Sequence, residues 1–272
     1  MREFISKMQR LFNIFLILLG MCFLIQSVEA KEMKFIQISN LQFGADEKSI
    51  ENYSTAIKKI NKTKNIDFVV FTGGNLAYSD EDLLKEFLKM SKKLKYPYYI
   101  QIGPSDCQKN QGITKETYIN ILNRYSKHHY KSFDYTVKKD DVILAFVDGS
   151  KQYIPTTGYY RTNTVTWLDK VLTKYENKNV LIFQYFPLYK SDLNINTHVY
   201  KPDIYFDVLK KHKNVLAIFS SSVDLKGYDV YNDDILYSTA PSAYSNTPTY
   251  KEIFLSDDNG TGYEIYTKNV EF

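Results

Sequence analysis

Five short polar segments, each directly after an apolar run, hold the side chains that could do chemistry: Ser39-Asn40-Leu41-Gln42, Gly73-Gly74-Asn75, Gly103-Pro104-Ser105-Asp106, Gln184-Tyr185-Phe186-Pro187 and Ser220-Ser221-Ser222-Val223-Asp224. Their functional groups are amides, hydroxyls, one phenol and two carboxylates. An oxygen-rich set of this kind suits a hard cation better than a transition metal, which favours imidazole. Serines 220–222 have no histidine beside them in sequence to act as base, so they read as a polar strand end. Asp106 reads as a loop cap. Asn40 and Asn75 suit strand-end turns.

The chain has only four histidines, and none lies in these segments. His128 and His129 are neighbours near the end of a helical pattern, where successive side chains point about 100° apart and cannot form the i, i+4 pair that metals use. They read as solvated helix residues. His198 sits in an Asn-rich loop, and His212 sits near a helix C-terminus, where the dipole favours a cation. Cys22 belongs to an apolar run, which leaves Cys107 as an unpaired loop thiol. Neither a disulfide scaffold nor a Cys/His zinc module can be built from these counts.

Composition narrows the class further. A length of 272 residues with 44% hydrophobic side chains can bury a sizeable core and excludes a disordered chain. Thirty-five basic against 31 acidic residues give a formal charge of +4, too weak to indicate nucleic acid. Residues 1–10 carry Arg2, Lys7 and Arg10, residues 11–25 are almost wholly apolar, and Val28 and Ala30 offer small side chains at an exit site. This pattern predicts a secretory signal over residues 1–30, cleaved after Ala30. The competing reading is an uncleaved membrane anchor, for which the apolar run falls short of the ~20 residues that span a bilayer. Asn52, Asn61 and Asn259 head Asn-x-Ser/Thr triplets that a eukaryotic secretory pathway could glycosylate.

The elements that position the five segments follow from periodicity. Residues 34–39, 68–72, 98–102, 180–183 and 215–219 are short, continuous apolar runs and read as buried strands. Residues 50–60, 80–94, 114–127, 164–175 and 202–212 have helical spacing, with Ser79 as an N-cap for the second. Residues 133–137 and 142–147 form an antiparallel pair, and from residue 229 onward the chain turns all-β, with runs at 235–237, 252–255 and 263–266. A single α/β domain over residues 31–272, containing two sheets, is the economical reading.

In such sheets chemistry sits at the carboxyl ends of strands. With the five segments placed there in order, the chain resembles the calcineurin-like metallophosphoesterases, including the purple acid phosphatases. That family carries Asp-x-His, Gly-Asp, Gly-Asn-His-Asp/Glu, His-x-Pro and Gly-His-x-His blocks. The likeness covers nearly all of residues 31–272, including Trp167-Leu168 and Ala240-Pro241-Ser242. It implies a four-layer α/β/β/α fold, a two-sheet β-sandwich flanked by helices.

The resemblance also implies which positions would hold two divalent metal ions, and here the residues depart from the family. The first block's Asp and His correspond to Asn40 and Gln42. The bridging Asp corresponds to Asn75, or to Gly74 in a slipped register. The third block's Asn ligand and catalytic His correspond to Pro104 and Ser105, with Asp106 retained. The fourth block's His corresponds to Tyr185, and the last block's glycine and two histidines to Ser221, Ser222 and Asp224. Two metals about 3.5–4 Å apart need anionic ligands to offset their charge. Asn40 and Asn75 present none, Pro104 has no side-chain donor, and the remaining carboxylates cannot balance four positive charges.

The expectation is therefore a secreted pseudophosphatase, a binding or scaffolding module with no metal cofactor and no catalytic residues. Its partner would be a protein; neither nucleic acid nor membrane is expected unless the N-terminal segment stays uncleaved. The 24 tyrosines and 17 phenylalanines suit recognition surfaces, residues 153–160 among them. The alternative is a phosphoester hydrolase with one weak cation held by Asn40, Asn75, Asp106 and Asp224.

Overall fold

The structure, a computed structural model, describes residues 31–110, 112–152, 157–189, 199–221, 227–257 and 262–272, together with Met1 and Met8. The expected signal segment therefore lies outside the described residues, apart from Met1 and Met8. No described helix is long and apolar enough to cross a membrane. By compactness the chain divides into residues 33–254 with 265–272, which carry the five helices and all the site residues described below, and residues 1–32 with 255–264.

Strands and helices alternate as their periodicity dictates: β1 (Lys31–Ile38), α1 (Glu47–Lys62), β2 (Phe68–Thr72), α2 (Glu81–Ser91), β3 (Tyr98–Gln101) and α3 (Lys115–Tyr125). There follow β4 (Tyr135–Lys139), β5 (Val142–Phe146), α4 (Thr162–Lys174), β6 (Asn179–Gln184), α5 (Asp203–Lys211) and β7 (Val215–Ser221). The chain closes with β8 (Asp229–Asn232), β9 (Ile235–Ala240), β10 (Thr249–Asp257) and β11 (Glu264–Glu271). They form two mixed sheets, ordered β11-β10-β1-β2-β3 and β4-β5-β6-β7-β9-β8.

Within the first sheet β1, β2 and β3 run parallel; in the second, β5, β6, β7 and β9 do. Parallel strands covered on both faces need apolar residues at every position. This is why β2 and β5, Phe-Val-Val-Phe-Thr and Val-Ile-Leu-Ala-Phe, are buried throughout and show no alternation.

The sheets face each other through aromatic rings. Phe35 stacks on Phe68 at 4.8 Å and meets Phe183 and Phe219 edge-on at 5.6 and 5.3 Å. Each such buried ring stabilises the fold by roughly 2–3 kcal/mol. On the outer face of the first sheet, Tyr53 of α1 and Phe87 of α2 pack on Phe71. On the second, Leu168 and Leu172 of α4 join Val208 and Leu209 of α5 over Ile143, Ile182 and Ile218, with Trp167 half-buried beside them. These are the layers α/β/β/α.

Three local expectations are corrected. The N-cap of α2 is Asp80, whose carboxylate accepts from Asp82 N and Leu83 N, whereas the Ser79 hydroxyl accepts from Gln108 N and Ile113 N. Helix α3 stops at Tyr125, so His128 is not a helix residue; it is half-buried against the rings of Tyr99, Tyr130 and Tyr135. Within residues 153–160, of which 153–156 lie outside the described residues, Tyr159 is half-buried and Tyr160 is buried with its hydroxyl on the Phe186 carbonyl, 2.8 Å, so Tyr160 belongs to the core.

Candidate functional site

The parallel strands β1, β2 and β3 end side by side, and the loops beyond them are laced together. Asn40 N donates to Gly73 O at 3.0 Å, Gln42 N to Gly74 O at 2.9 Å, and Phe43 N to Asn75 O at 2.9 Å. Such tight turns need left-handed backbone. Asn40 and Gln42 adopt φ of 47° and 50°, and Gly73 and Gly74 adopt 101° and 66°. A Cβ on Gly74 would lie 2.3 Å from the Asn40 Oδ1. The glycines are thus fixed by close approach as well as by φ.

Asp106 ties the second loop to the third. Its Oδ2 accepts from Gly103 N (2.6 Å), Gly74 N (3.0 Å) and the Asn75 side-chain amide (3.3 Å), and its Oδ1 accepts from Leu76 N (2.8 Å). The carboxyl is fully buried, and that burial pushes its pKa up to about 6 against the pull of the four donors. All four contacts are N–H groups, the arrangement an ionised carboxylate requires. The loop-cap reading of Asp106 matches this geometry.

Tyr185, at the end of β6, reaches into the same centre. Its hydroxyl donates to Asn40 Oδ1 at 3.0 Å. Its ring lies against Gly73 and Gly103, where an added Cβ would come within 2.6 and 2.7 Å of ring carbon Cδ2. Burial raises its phenol well above the usual range, so it stays protonated. The Tyr185 carbonyl accepts from Ser221 N at 3.0 Å, which joins β7 to the cluster.

The centre thus gathers Asn40, Asn75, Asp106 and Tyr185 from four strand ends. Pro104 and Ser105 sit in the loop between Gly103 and Asp106; the Ser105 hydroxyl is buried with no hydrogen-bond partner among the described residues. Gln42 is half-buried, and its carbonyl accepts from Ala45 N at 3.0 Å. Ser222 and Asp224 lie outside the described residues. Ser221 ends β7 with its hydroxyl donating to the Thr72 carbonyl at 2.8 Å, across to the first sheet.

One contributor carries no chemical signal in the sequence. Ser242, in the Ala240-Pro241-Ser242 stretch, donates its hydroxyl to the Asn40 carbonyl at 3.2 Å, while Tyr244 N donates to the same oxygen at 3.0 Å. A small hydroxyl two residues past a strand end has no distinguishing pattern.

A pair of divalent cations does not fit the described residues. Asn40 Oδ1 is taken by the Tyr185 hydroxyl, and the Tyr185 ring covers the glycines where the loops meet. Asn75 turns its nitrogen, a donor, toward Asp106 and toward the Gln101 carbonyl at 2.9 Å. A carboxylate at position 75 would face the buried Asp106 at close range and set two like charges against each other. Asp106 spends its lone pairs on N–H groups. Among the described residues no three His, Cys, Asp or Glu side chains cluster as metal ligands.

The histidines lie elsewhere. His129 is exposed, His198 is outside the described residues, and His212 caps α5 with its Nε2 2.7 Å from Asp169 Oδ1. Cys107 is buried and free, and burial raises its thiol well above the ordinary value, so thiolate chemistry is disfavoured.

No protein-family model matches the chain, and no curated protein matches it. Solved structures do. A dimetal phosphatase from Danio rerio superposes with a TM-score of 0.64 at 13% identity, over 86% of this chain and 98% of that one. The Thermus thermophilus protein TT1561 gives 0.62 at 11%, over 88% and 99%. Plasmodium GAP50, described as the anchor in the inner membrane complex, gives 0.58 at 13%, over 89% of each chain. The element order, the two facing sheets and these superpositions agree: the chain has the calcineurin-like metallophosphoesterase fold.

Proposed function

We propose that the protein is a secreted binding or scaffolding module on a phosphoesterase fold, and that it does not hydrolyse phosphoesters. The observation that carries this reading is the Tyr185–Asn40 contact. The phenol replaces an imidazole that would face a metal, fills the space beside Gly73 and Gly103, and occupies the amide oxygen at the position of the first metal carboxylate. In the active members of this fold a metal-activated hydroxide attacks phosphorus. Here the donor set offers one buried carboxylate, already saturated. Plasmodium GAP50, which shares the fold, is named as an anchor, and that supports the scaffolding reading.

A hydrolase holding a single weak cation at Asn40, Asn75, Asp106 and Asp224 draws no support from the first three positions, because the Asn75 nitrogen faces Asp106 and the Asp106 oxygens already accept from N–H groups; Asp224 lies outside the described residues. Secretion rests on the pattern of residues 1–30, and N-terminal sequencing of the exported protein should begin at Lys31. The activity test is hydrolysis of a generic phosphoester by purified protein supplemented in turn with manganese, zinc, iron and magnesium. The expected rate equals the protein-free control with each metal. Metal-dependent turnover abolished by Tyr185→Ala would refute the proposal.

A further inference from the structure

We propose that the cleft along the outer edge of β3 is the docking site for an extended, acidic peptide segment of a partner protein. The inference rests on the binding-module reading for its biological role and adds to it a place and a partner chemistry.

The place follows from sheet order. β3 is the last strand of its sheet, so one side of its backbone faces away from β2. In a parallel ladder alternate residues bond to the neighbour, and here Val69 N donates to Pro97 O, which leaves Tyr98 and Ile100 facing outward. Ile100 is covered within the protein: its N–H donates to the Tyr130 hydroxyl at 3.2 Å, and its carbonyl accepts from the Tyr135 hydroxyl at 2.9 Å. Among the described residues no such tyrosine covers the Tyr98 backbone. An edge left open over one residue admits a passing strand locally and resists sheet extension.

The chemistry follows from the walls. A cleft of about 910 Å³ opens here between the end of α2, the start of β3 and the segment after α3. Lys92, Lys95 and Lys127 line it together with Tyr96, Tyr98 and Tyr125, and no Asp or Glu does. All three lysines are exposed, and none has a carboxylate partner among the described residues. Some lysines elsewhere are paired, Lys34 with Glu252, Lys178 with Asp141 and Lys251 with Asp229, and their partners are the carboxylates that this cleft lacks. Lys92 Nζ instead stands 4.8 Å above the Tyr125 ring.

The Tyr98 hydroxyl is buried with no hydrogen-bond partner among the described residues, on a ring that packs edge-on to Phe71 at 6.0 Å, so Tyr98 offers the cleft its ring and backbone. Burial pushes its pKa up to about 12, so it remains a neutral hydroxyl at physiological pH. His128, which also lines the cleft, is held below its ordinary pKa by burial and by the neighbouring His129. The positive charge lining the cleft is therefore carried by its lysines.

These features specify the occupant. Lysines without carboxylate partners ask for carboxylates, tyrosine faces ask for apolar or aromatic side chains, and the open backbone at Tyr98 asks for an extended chain. An acidic peptide with interspersed apolar residues supplies all three. A nucleic acid would engage the lysines but makes little use of a single backbone notch, and three lysines neutralise few phosphates.

The test uses mature protein, residues 31–272, and fluorescence anisotropy with a labelled peptide in which glutamates alternate with leucines and phenylalanines. Controls are the same peptide with lysine for glutamate, and a single-stranded oligonucleotide. Saturable binding of the glutamate peptide is expected, with none of the lysine peptide. Lys92→Glu combined with Lys127→Glu should weaken binding by roughly tenfold or more with unchanged circular dichroism and Tm. Salt that shortens the Debye length from about 10 Å to about 3 Å should weaken it as well. Tyr98→Phe, which keeps the ring and the backbone notch, should bind the peptide as wild type does and leave Tm unchanged or higher, since the variant removes only a buried, unpartnered hydroxyl.

No saturable binding by the glutamate peptide, binding indifferent to the double charge reversal, or tighter binding by the oligonucleotide would overturn the proposal. Failure here is separable from failure of the binding-module reading. That reading falls to metal-dependent hydrolysis, which involves none of these residues.

Discussion

The strand-end centre and the β3 cleft spend their polar groups in opposite ways. At the centre, Asp106 accepts four N–H groups, Asn40 accepts a phenol, and Asn75 donates twice within the protein. At the cleft, three lysines have no carboxylate partner and the Tyr98 hydroxyl no hydrogen-bond partner among the described residues. Interiors satisfy their polar groups unless function requires otherwise. The strand-end centre is held by internal hydrogen bonds apart from the unpartnered Ser105 hydroxyl, whereas the cleft presents three exposed lysines without carboxylate partners among the described residues.

The largest test of the contrast is Asp106→Ala. It orphans buried N–H groups of Gly74, Leu76 and Gly103 and should cost about 4 kcal/mol. In a chain of this size that lowers Tm by on the order of 10 °C in a thermal melt. A loss under about 1 kcal/mol would mean that the knot is not what holds the loops.

Next in size is a pH effect with a defined sign. The Asp106 carboxyl is raised from 3.8 to about 6 in the folded state, and Asp134 likewise, each chiefly by burial. The folded chain therefore holds these protons more tightly than the unfolded chain. Their contribution to stability is full below about pH 4 and is lost as pH climbs to about 6. For Asp106 the change is roughly 3 kcal/mol. Urea titrations across this window should give a steeper fall in wild type than in Asp106→Asn, and equal slopes would contradict the assignment.

Tyr185→Phe keeps the ring over the glycines and removes only the bond to Asn40, so urea denaturation should register a loss of about 1 kcal/mol. Smallest of all is Tyr98→Phe, at the cleft: a gain of up to roughly 0.5 kcal/mol, because no internal bond is broken. Opposite signs for two Tyr→Phe changes would be the sharpest expression of the difference between the regions. Equal losses at both would erase it.

Much of the architecture is legible from residue order. Continuous apolar runs announce β2, β5, β6 and β7, and the polar segments behind them mark where strand ends converge. Residue types alone tell that Asn40, Asn75 and Tyr185 bring neither the negative charge nor the imidazole that a pair of divalent transition metals would use. What sequence cannot encode locally is who meets whom: the Tyr185 hydroxyl finds Asn40 145 residues away. Adjacent Ser79 and Asp80 are both good caps, and only the chain's path gives one to α2 and the other to the loop at Ile113. Strand β8, Asp-Val-Tyr-Asn, is a largely exposed edge with no apolar face to betray it. At His128 the helical pattern outlasts the helix by a few residues, and aromatic neighbours from other segments decide its burial.

The central claim is that the strand-end centre is closed to metal. Its most direct test is elemental analysis of protein purified without chelator and then equilibrated with zinc, manganese and iron. The account predicts far less than one metal ion per chain at the centre, with Tyr185→Ala and wild type alike. Two ions per chain in the wild type, lost on mutation of Asp106 and accompanied by phosphoester hydrolysis, would contradict it.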